Sequence, residues 1–478
     1  MGMQEKSNGT FRGRLNVRGF KQKDGEHYDS ASISSPVTND ATIRIVLTLM
    51  CMMDNWVAHI IDVKGAFLHG EFENGEVIYI KIPEGFEKFY NNDQVLKLNK
   101  TCYGLKQAAM QFYRKMVRTM QKLGNERSKA DPCLYFKWHA KYGLILWVSW
   151  IDDNLVMGTK EAVEEAKQQL MKEFECSDEG ELKKYVGGKL DIRRDSKGLS
   201  SIKFTQPVLI QSYSDEFDIP SGKFPITPGK PGSQLTKAKP ELQLSPKEQT
   251  KYRSGVGKAL HMMRWSRPET YNAVRDLARH MTAADPGHFA AMLHMMKYCI
   301  GTKNRGLVLK PNRKWNGEKD FKFKIRGKSD SNYATDPETR KSITGTVVYL
   351  EESPVMFKSS TQKHICLSVT EAEQAAGVSC AQDMLYVMHV LQSMGLQVEL
   401  PMLLEIDNKG AVDLANNFSI GGRTRHVDVR QYFLRELKEK NILRVVHCSG
   451  EEMDADIFTK NCSGPIFQTH MTKFVSDQ

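Results

Sequence analysis

The sequence contains nine cysteines but no CxxC pair and no Cys/His spacing of the zinc-site kind. Scattered thiols in odd number predict reduced cysteines of the cytosol or nucleus, and exclude a disulfide scaffold. Long apolar runs are also missing. The longest, Gly143–Ile151, has about nine residues against the roughly 20 that a helix needs to cross a bilayer. The opening stretch MGMQEKSNGTFRGR has no apolar centre and reads as no signal peptide, and Lys6 stands where an N-myristoylation signal wants Ser or Thr. No internal repeat and no low-complexity tract is present. Together these absences predict a soluble intracellular protein without a membrane partner.

What is present describes an ordinary globular chain, with 40% hydrophobic and 26% charged residues. Its 478 residues exceed what one core organises, so several domains are expected. The formal charge of +11 makes the surface basic, which points to nucleic acid or another polyanion as partner.

Three regions separate on composition. Up to residue 218, strand-like and helix-like patterns alternate. Residues 219–250 are rich in Pro, Gly and Lys, and read as a linker or a long surface connection. Residues 250–300 are helical, with a Met-rich stripe of the core-packing kind. From about 321 the pattern is strands first, then a long helix from about Thr370 to Met394, a strand PMLLEID, a helix, a strand ILRVVHCS and a short helix. That order is an α/β layer pattern.

Two acidic constellations carry the chemistry. In WVAHIIDVKGAF, Asp62 closes an apolar, strand-like run. Further on, YGLILWVSW and NLVMG read as two strands joined at Ile151-Asp152-Asp153. A hairpin tip with two acids beside a strand ending in a third would converge three carboxylates, which as hard oxygen ligands suit Mg²⁺ or Mn²⁺. Asp-Asn turn chemistry accounts for the same residues without a metal. The second constellation follows the same logic. Asp330 closes a strand, Glu373 lies in the first turn of the long helix, Asp407 ends a strand and Asp456 opens a short helix. Each also has a plain structural reading: Thr370 with Glu373 fits a capping box, Asp407 a turn, and Asp456 a first-turn acid.

The stretches IDVKGAFLHGEFENGEVIYIKIPEGF, VLKLNKTCYGLKQAAMQFY, SKADPCLYFK and WIDDNLVMG follow in order and at spacing that resembles the reverse transcriptase of copia-type (pseudovirus) LTR retrotransposons. FRGRLNVRGFKQKDGEHYDSASISSPV resembles its fingers segment, and KKYVGGKLDI the stretch after the catalytic hairpin. SDSNYATDPETRKSITGTVVYL, SVTEAEQAA, IDNKGAV, RTRHVDVRQYFLRE and ADIFTK resemble the RNase H domain of the same Pol polyprotein. YRSGVGKALHMMRWSRPETYNAV to YCIGTKNRGL is similar to its connecting segment.

The resemblance implies α/β and α+β folding: a right-hand polymerase of fingers, palm and thumb, then an RNase H-like mixed α/β domain. It divides the chain into fingers and palm at 8–218, linker and helical thumb or connection at 219–320, and the RNase H-like domain at 321–470. It implies a two-metal polymerase site at Asp62, Asp152 and Asp153, and a second at Asp330, Glu373, Asp407 and Asp456, each with two Mg²⁺ or Mn²⁺ ions. Phe67 would exclude a 2′-hydroxyl, Gln107 would line the nucleotide pocket, and Arg14 and Arg18 would meet the triphosphate, unless they form a solvated basic strand.

The implied partners are an RNA template, a DNA primer, the RNA/DNA hybrid and deoxynucleoside triphosphates. The implied places are a cytoplasmic virus-like particle and the nucleus. Glu371 must face away from Glu373. His447 lies too early for a mobile histidine loop, and His426 belongs to the RTRHVD segment. Three residues depart from the family pattern: Trp150 replaces Tyr before the paired acids, Ala109 replaces Pro, and Gly188 an aliphatic residue. The chain is expected to be N-terminally truncated, with no protease site, zinc knuckle or integrase-type His/Cys cluster. That leaves a decayed or domesticated fragment, binding nucleic acid without catalysis, as the other reading.

Overall fold

A computed structural model describes residues 2–5, 11–73, 75–91, 93–196, 198–220, 222–416 and 428–477. They form two compact units. The first joins Met1–Asn39 to Asn55–Glu181, and the second joins Asp40–Asp54 to Leu182–Gln478, so helix α1 (Asp40–Cys51) belongs to the second. The compact units part at 181/182, whereas composition divides the chain at 218/219. The difference arises because residues 182–218 contribute strands to a sheet of the second unit.

The first unit is built on a six-stranded antiparallel sheet. Its strands are β1 (Trp56–Val63), β2 (Glu126–Arg127), β3 (Leu134–His139), β4 (Gly143–Trp150), β5 (Asp153–Thr159) and β6 (Cys176–Glu181), in the order β6-β1-β5-β4-β3-β2. Aromatic and β-branched residues dominate β4, as a buried strand requires. Its Ile145 and Trp147 face one side and join a core with Phe112, Met116 and Met120 of α2 (Ala108–Lys122) and Val163 and Leu170 of α3 (Lys160–Met171). Helix α3 starts where the Thr159 hydroxyl accepts from the Ala162 amide, a standard N-cap.

In the second unit, strands β7 (Lys184–Tyr185), β8 (Gly188–Arg194), β9 (Ser200–Thr205), β10 (Gly306–Leu309) and a C-terminal pair, Val475–Ser476, form one antiparallel sheet. A second five-stranded sheet holds β11 (Ile325–Asn332), β12 (Ile343–Leu350), β13 (Ser353–Thr361), β14 (Met402–Ile406) and β15 (Leu443–His447), in the order β13-β12-β11-β14-β15. β13, β12 and β11 pair antiparallel, while β11, β14 and β15 run parallel. Among the helices are α4 (Pro207–Phe217), α5 (Pro246–Trp265), α6 (Tyr271–Ala278), α7 (Pro286–Gly301) and the 25-residue α8 (Val369–Ser393). Helix α8 lies close on β11 because Gly327 carries no side chain. A Cβ there would meet Cys380 Sγ at 2.6 Å and Met384 Sδ at 2.7 Å.

Helix α1 is buried on all sides, and its Arg44 donates to the Val355 and Arg264 carbonyls beneath the Phe357 ring. The Pro/Gly-rich stretch after α4 is a bonded surface connection. Leu235 N donates to Asp276 Oδ2, Leu244 N to the Ala284 carbonyl, and Asn461 Nδ2 to the Ser233 carbonyl. All nine cysteines are free thiols. No helix among the described residues is long and apolar enough to cross a membrane.

Candidate active sites

Strand register builds the first acidic group. Asp62 of β1 is the partner of Asp153 of β5, Asp153 is the partner of Trp150 of β4, and Ser177 of β6 is the partner of Asp62. Partners directly opposite share a face, with Cβ atoms about 4.5–5.5 Å apart. A row Ser177–Asp62–Asp153–Trp150 therefore crosses four strands on one face. Asp152 sits at the hairpin tip beside Ile151, whose φ of 59° is strained for a β-branched residue. The Asp152 carbonyl accepts from Val63 N at 3.0 Å and from Asn154 Nδ2 at 2.9 Å, which ties the tip to the end of β1.

Two like charges placed opposite each other repel. Burial first, and then the Asp152 and Asp62 charges, push the Asp153 carboxyl up to about 6. The Ser177 hydroxyl donates to Asp62 at 3.4 Å. Among the described residues no Lys, Arg or His nitrogen lies within 4.0 Å of these three carboxylates. An uncompensated acid row of this kind fits a hard divalent cation.

The second group is tighter. Asp330 of β11, Glu373 of α8 and Asp407 after β14 place ligand oxygens all within 4.8 Å of one another, the one such trio among the described residues. Asp456, on the 3₁₀ turn Asp454–Phe458, lies outside that trio and pairs with Lys460 at 2.7 Å. Asp330 accepts from the Thr459 hydroxyl. Glu373 Oε1 accepts from Ser331 N at 3.1 Å and Ser331 Oγ at 2.8 Å. Burial raises the carboxyls of Asp330, Glu373 and Asp407, followed by the Asp456 charge for Asp330, the Asp330 and Asp407 charges for Glu373 and the Asp330 charge for Asp407. Glu373 Oε2 and Asp456 Oδ1 are buried without a partner. Two orphaned carboxylate oxygens beside three crowded acids are what a divalent ion would satisfy.

The capping reading of Glu373 is corrected. Helix α8 is capped two residues earlier, by Ser368, whose hydroxyl accepts from Glu371 N, while Glu371 Oε2 accepts from Leu367 N. Glu373 is thereby free to face Asp330, and Glu371 faces elsewhere. His447 ends β15, where its Nε2 lies 3.1 Å from the Asp407 carbonyl. The supporting Ser331, Thr459 and Lys460 were missed at the sequence level. Their only signal was adjacency to the acids within SDSN and DIFTK.

The remaining residues read from sequence fall as follows. Phe67 lies on the short turn Ala66–Leu68, its ring 5.3 Å from Tyr103 and edge-on to it. Gln107, buried at the start of α2, accepts from Gln22 Nε2 at 2.9 Å and donates to the His27 carbonyl at 3.1 Å. Arg18 is exposed. The Arg14 side chain and His426 lie outside the described residues. Gly188 is explained by its neighbour, since a Cβ there would sit 2.0 Å from the Phe204 ring.

Residues 2–221 match the family described as "Reverse transcriptase (RNA-dependent DNA polymerase)", so the chain carries a reverse transcriptase domain. More particularly, it is homologous along most of its length to Pol polyproteins of plant copia-type transposons. The "Retrovirus-related Pol polyprotein from transposon TNT 1-94" of Nicotiana tabacum is 32% identical over 94% of this chain and 33% of its own. The corresponding polyproteins from transposons RE1 and RE2 of Arabidopsis thaliana are each 28% identical over 97% of this chain and 30% of theirs. The chain thus spans about a third of the length of these relatives. A solved RNase H1 isolated from compost shares 16% identity, covers 28% of this chain and 92% of its own, and has a TM-score of 0.23.

Proposed function

We propose that the chain is an RNA-directed DNA polymerase with linked RNase H activity, the two sites working by two-metal phosphoryl transfer in a fingers–palm–thumb and RNase H-like arrangement. The observation that carries this reading is the presence, on one chain with a reverse transcriptase domain, of two separate carboxylate groups, the first with no cation in contact and the second with Lys460 on Asp456 alone and two orphaned carboxylate oxygens. Asp62, Asp152 and Asp153 would hold one pair of Mg²⁺ or Mn²⁺ ions, and Asp330, Glu373, Asp407 and Asp456 the other. When bound, such ions supply Lewis-acid activation of an attacking oxygen and charge stabilisation of a leaving one.

The protein's own part is to position. The Asp62–Asp153 register sets two acids side by side, and the Val63–Asp152 bond fixes the third. At the second site, Ser331 and Thr459 orient Glu373 and Asp330, and Lys460 holds one Asp456 oxygen so that the other faces the cluster. Phe67 would exclude a ribose 2′-hydroxyl, with Trp150 as a wall beside Asp153. Gln107 would support the nucleotide pocket through its bonds to residues 22 and 27, and Arg14 and Arg18 would meet the triphosphate. An RNA template, a DNA primer and their hybrid would be drawn by the basic surface, inside a cell.

Primer extension on poly(rA) with Mg²⁺ or Mn²⁺ tests the first site, and cleavage of the RNA strand of a hybrid tests the second. Wild type should extend and cleave, Asp152→Asn should lose extension alone, and Asp407→Asn cleavage alone. Equal extension by wild type and Asp152→Asn refutes the two-metal assignment. Binding without turnover by wild type identifies a non-catalytic fragment.

A further inference from the structure

Beside the second acid site is a cavity of about 370 Å³, with Gln234, Asn272, Arg275, Asn332, Lys460 and Asn461 in its wall. Two of its lining residues also touch that site: Thr459 donates to Asp330, and Lys460 pairs with Asp456. Arg275, on α6, is its distinctive residue. Its guanidinium donates only to neutral oxygens, Asn272 Oδ1 at 3.0 Å and Thr361 Oγ1 at 3.5 Å, and its Nε is buried without a partner. No carboxylate among the described residues lies within 4.0 Å of it, whereas Arg267, Arg279, Arg305 and Arg326 each have one.

The neighbouring Asp276 also lines the cavity, but is occupied elsewhere. Its oxygens accept from Arg279 Nη1 at 3.2 Å and Leu235 N at 3.0 Å. Burial, helped by the Arg279 charge, holds the Arg275 guanidinium below its ordinary value against the more distant Asp276 and Asp336 charges, as expected of a cation withdrawn from water without a carboxylate in contact. The side-chain amides of Gln234 and Asn332 make no hydrogen bond to described residues, so two neutral donors also face the space.

We propose that this cavity binds a backbone phosphate of the nucleic-acid strand lying over the second acid site, with Arg275 as its cation and Gln234 and Asn332 as neutral donors. An anion there restores the missing counter-charge, and the guanidinium fork suits phosphate oxygens. The contacts come from α6, from the connection after α4 and from the end of β11, so the first two elements join the third in the substrate track. A strand is favoured over free phosphate because Thr459 and Lys460 line the cavity and also contact the acids, so one phosphate of a bound strand would sit here while its neighbours pass the acids. The proposal rests on the RNase H reading above.

The test is RNA/DNA hybrid binding by the full chain, without divalent metal, across a salt series, for wild type, Arg275→Gln and Gln234→Glu. Gln234 is exposed, so its variant adds a negative charge at the rim without touching the core and decides the matter if Arg275→Gln does not fold. Each variant is expected to bind about tenfold more weakly, and Arg275→Gln to have a salt slope shallower by about one. Wild type that binds hybrid with both variants matching it overturns the proposal. Wild type that neither binds nor cleaves hybrid overturns the underlying RNase H reading instead. Inorganic phosphate alone is the second probe: a melting-point rise lost in Arg275→Gln, with hybrid binding unchanged, assigns the site to free phosphate and overturns the strand assignment.

Discussion

Gly345 offers the sharpest test of how the second acid site is assembled. It stands opposite Asp330 in the β11–β12 pair. A Cβ there would lie 2.7 Å from the Ala455 carbonyl oxygen, 2.7 Å from Thr459 Cγ2 and 3.0 Å from Phe458 Cβ. Carbon pairs at rest sit about 3.5–4.0 Å apart, so the turn Asp454–Phe458 must retreat by roughly 1 Å or the strand must bow. Either movement separates Asp456 and the Thr459 hydroxyl from Asp330.

Gly345→Ala is therefore expected to cost about 1–3 kcal/mol through overpacking, lowering the melting point by a few degrees. Hybrid cleavage should fall between about tenfold and a hundredfold, the penalty for a misplacement of about 1 Å, while primer extension stays at the wild-type rate. Gly257, in α5, is the control. A Cβ there meets nothing within 4 Å, so Gly257→Ala should stabilise by roughly 0.5–1 kcal/mol and leave both activities alone. A Gly345→Ala protein that melts and cleaves like wild type would refute the idea that this glycine sets the height of the turn.

Three further outcomes are expected. Gly188→Leu should cost about 1–3 kcal/mol by clashing with Phe204, and Phe204→Ala in the same chain should recover part of it in a denaturant double-mutant cycle. A purely additive pair would reject that explanation. Gln107→Ala should cost about 1–3 kcal/mol by leaving the Gln22 amide and His27 carbonyl unpaired, and should speed hydrogen exchange in residues 22–27. His280 is lowered from 6.5 by burial and then by His288, against the opposing Asp276 and Glu338 and alongside Arg279. The unfolded chain therefore takes up a proton first on acidification, so stability is complete above 6.5 and declines as pH falls below it. His280→Gln should flatten that decline in thermal melts, and an unchanged slope would reassign it.

The acids at strand ends were legible because apolar flanks mark the strands, and period-two alternation fixes which residues share a face. Asp62, Asp153 and Asp407 are of that kind, whereas Asp330, read as closing its strand, lies two residues inside one that runs on to Asn332. Glu373 was harder, because a helix-start glutamate two residues from another one reads equally as a cap. Only the position of Ser368 decides which acid does the capping. Ser331 and Thr459 were not legible, since their hydroxyls gain meaning from acids 42 and 129 positions away. The assignment of α1 to the second unit was also hidden. A helix buried on every side has no polar stripe to show which neighbour it packs against. The connection after α4 looked loose because its bonds tie backbone amides and carbonyls to residues distant in sequence, which composition does not register.

Trp150 is the residue on which the first site turns. It pairs in register with Asp153, which pairs with Asp62, so the indole and both acids stand on one face of three adjacent strands. An aromatic ring at the end of such a row serves as an apolar wall, and that role depends on ring area rather than on a hydroxyl. Trp150→Tyr should therefore extend a primer within about threefold of wild type, a difference under 1 kcal/mol in transition-state stabilisation. Trp150→Ala, which removes the wall, should lose about tenfold or more, chiefly through KM for the deoxynucleotide. A gain of more than about tenfold in Trp150→Tyr would reverse the reasoning, because the missing hydroxyl would then be worth over 1.4 kcal/mol and Trp150 would be a lesion in the site.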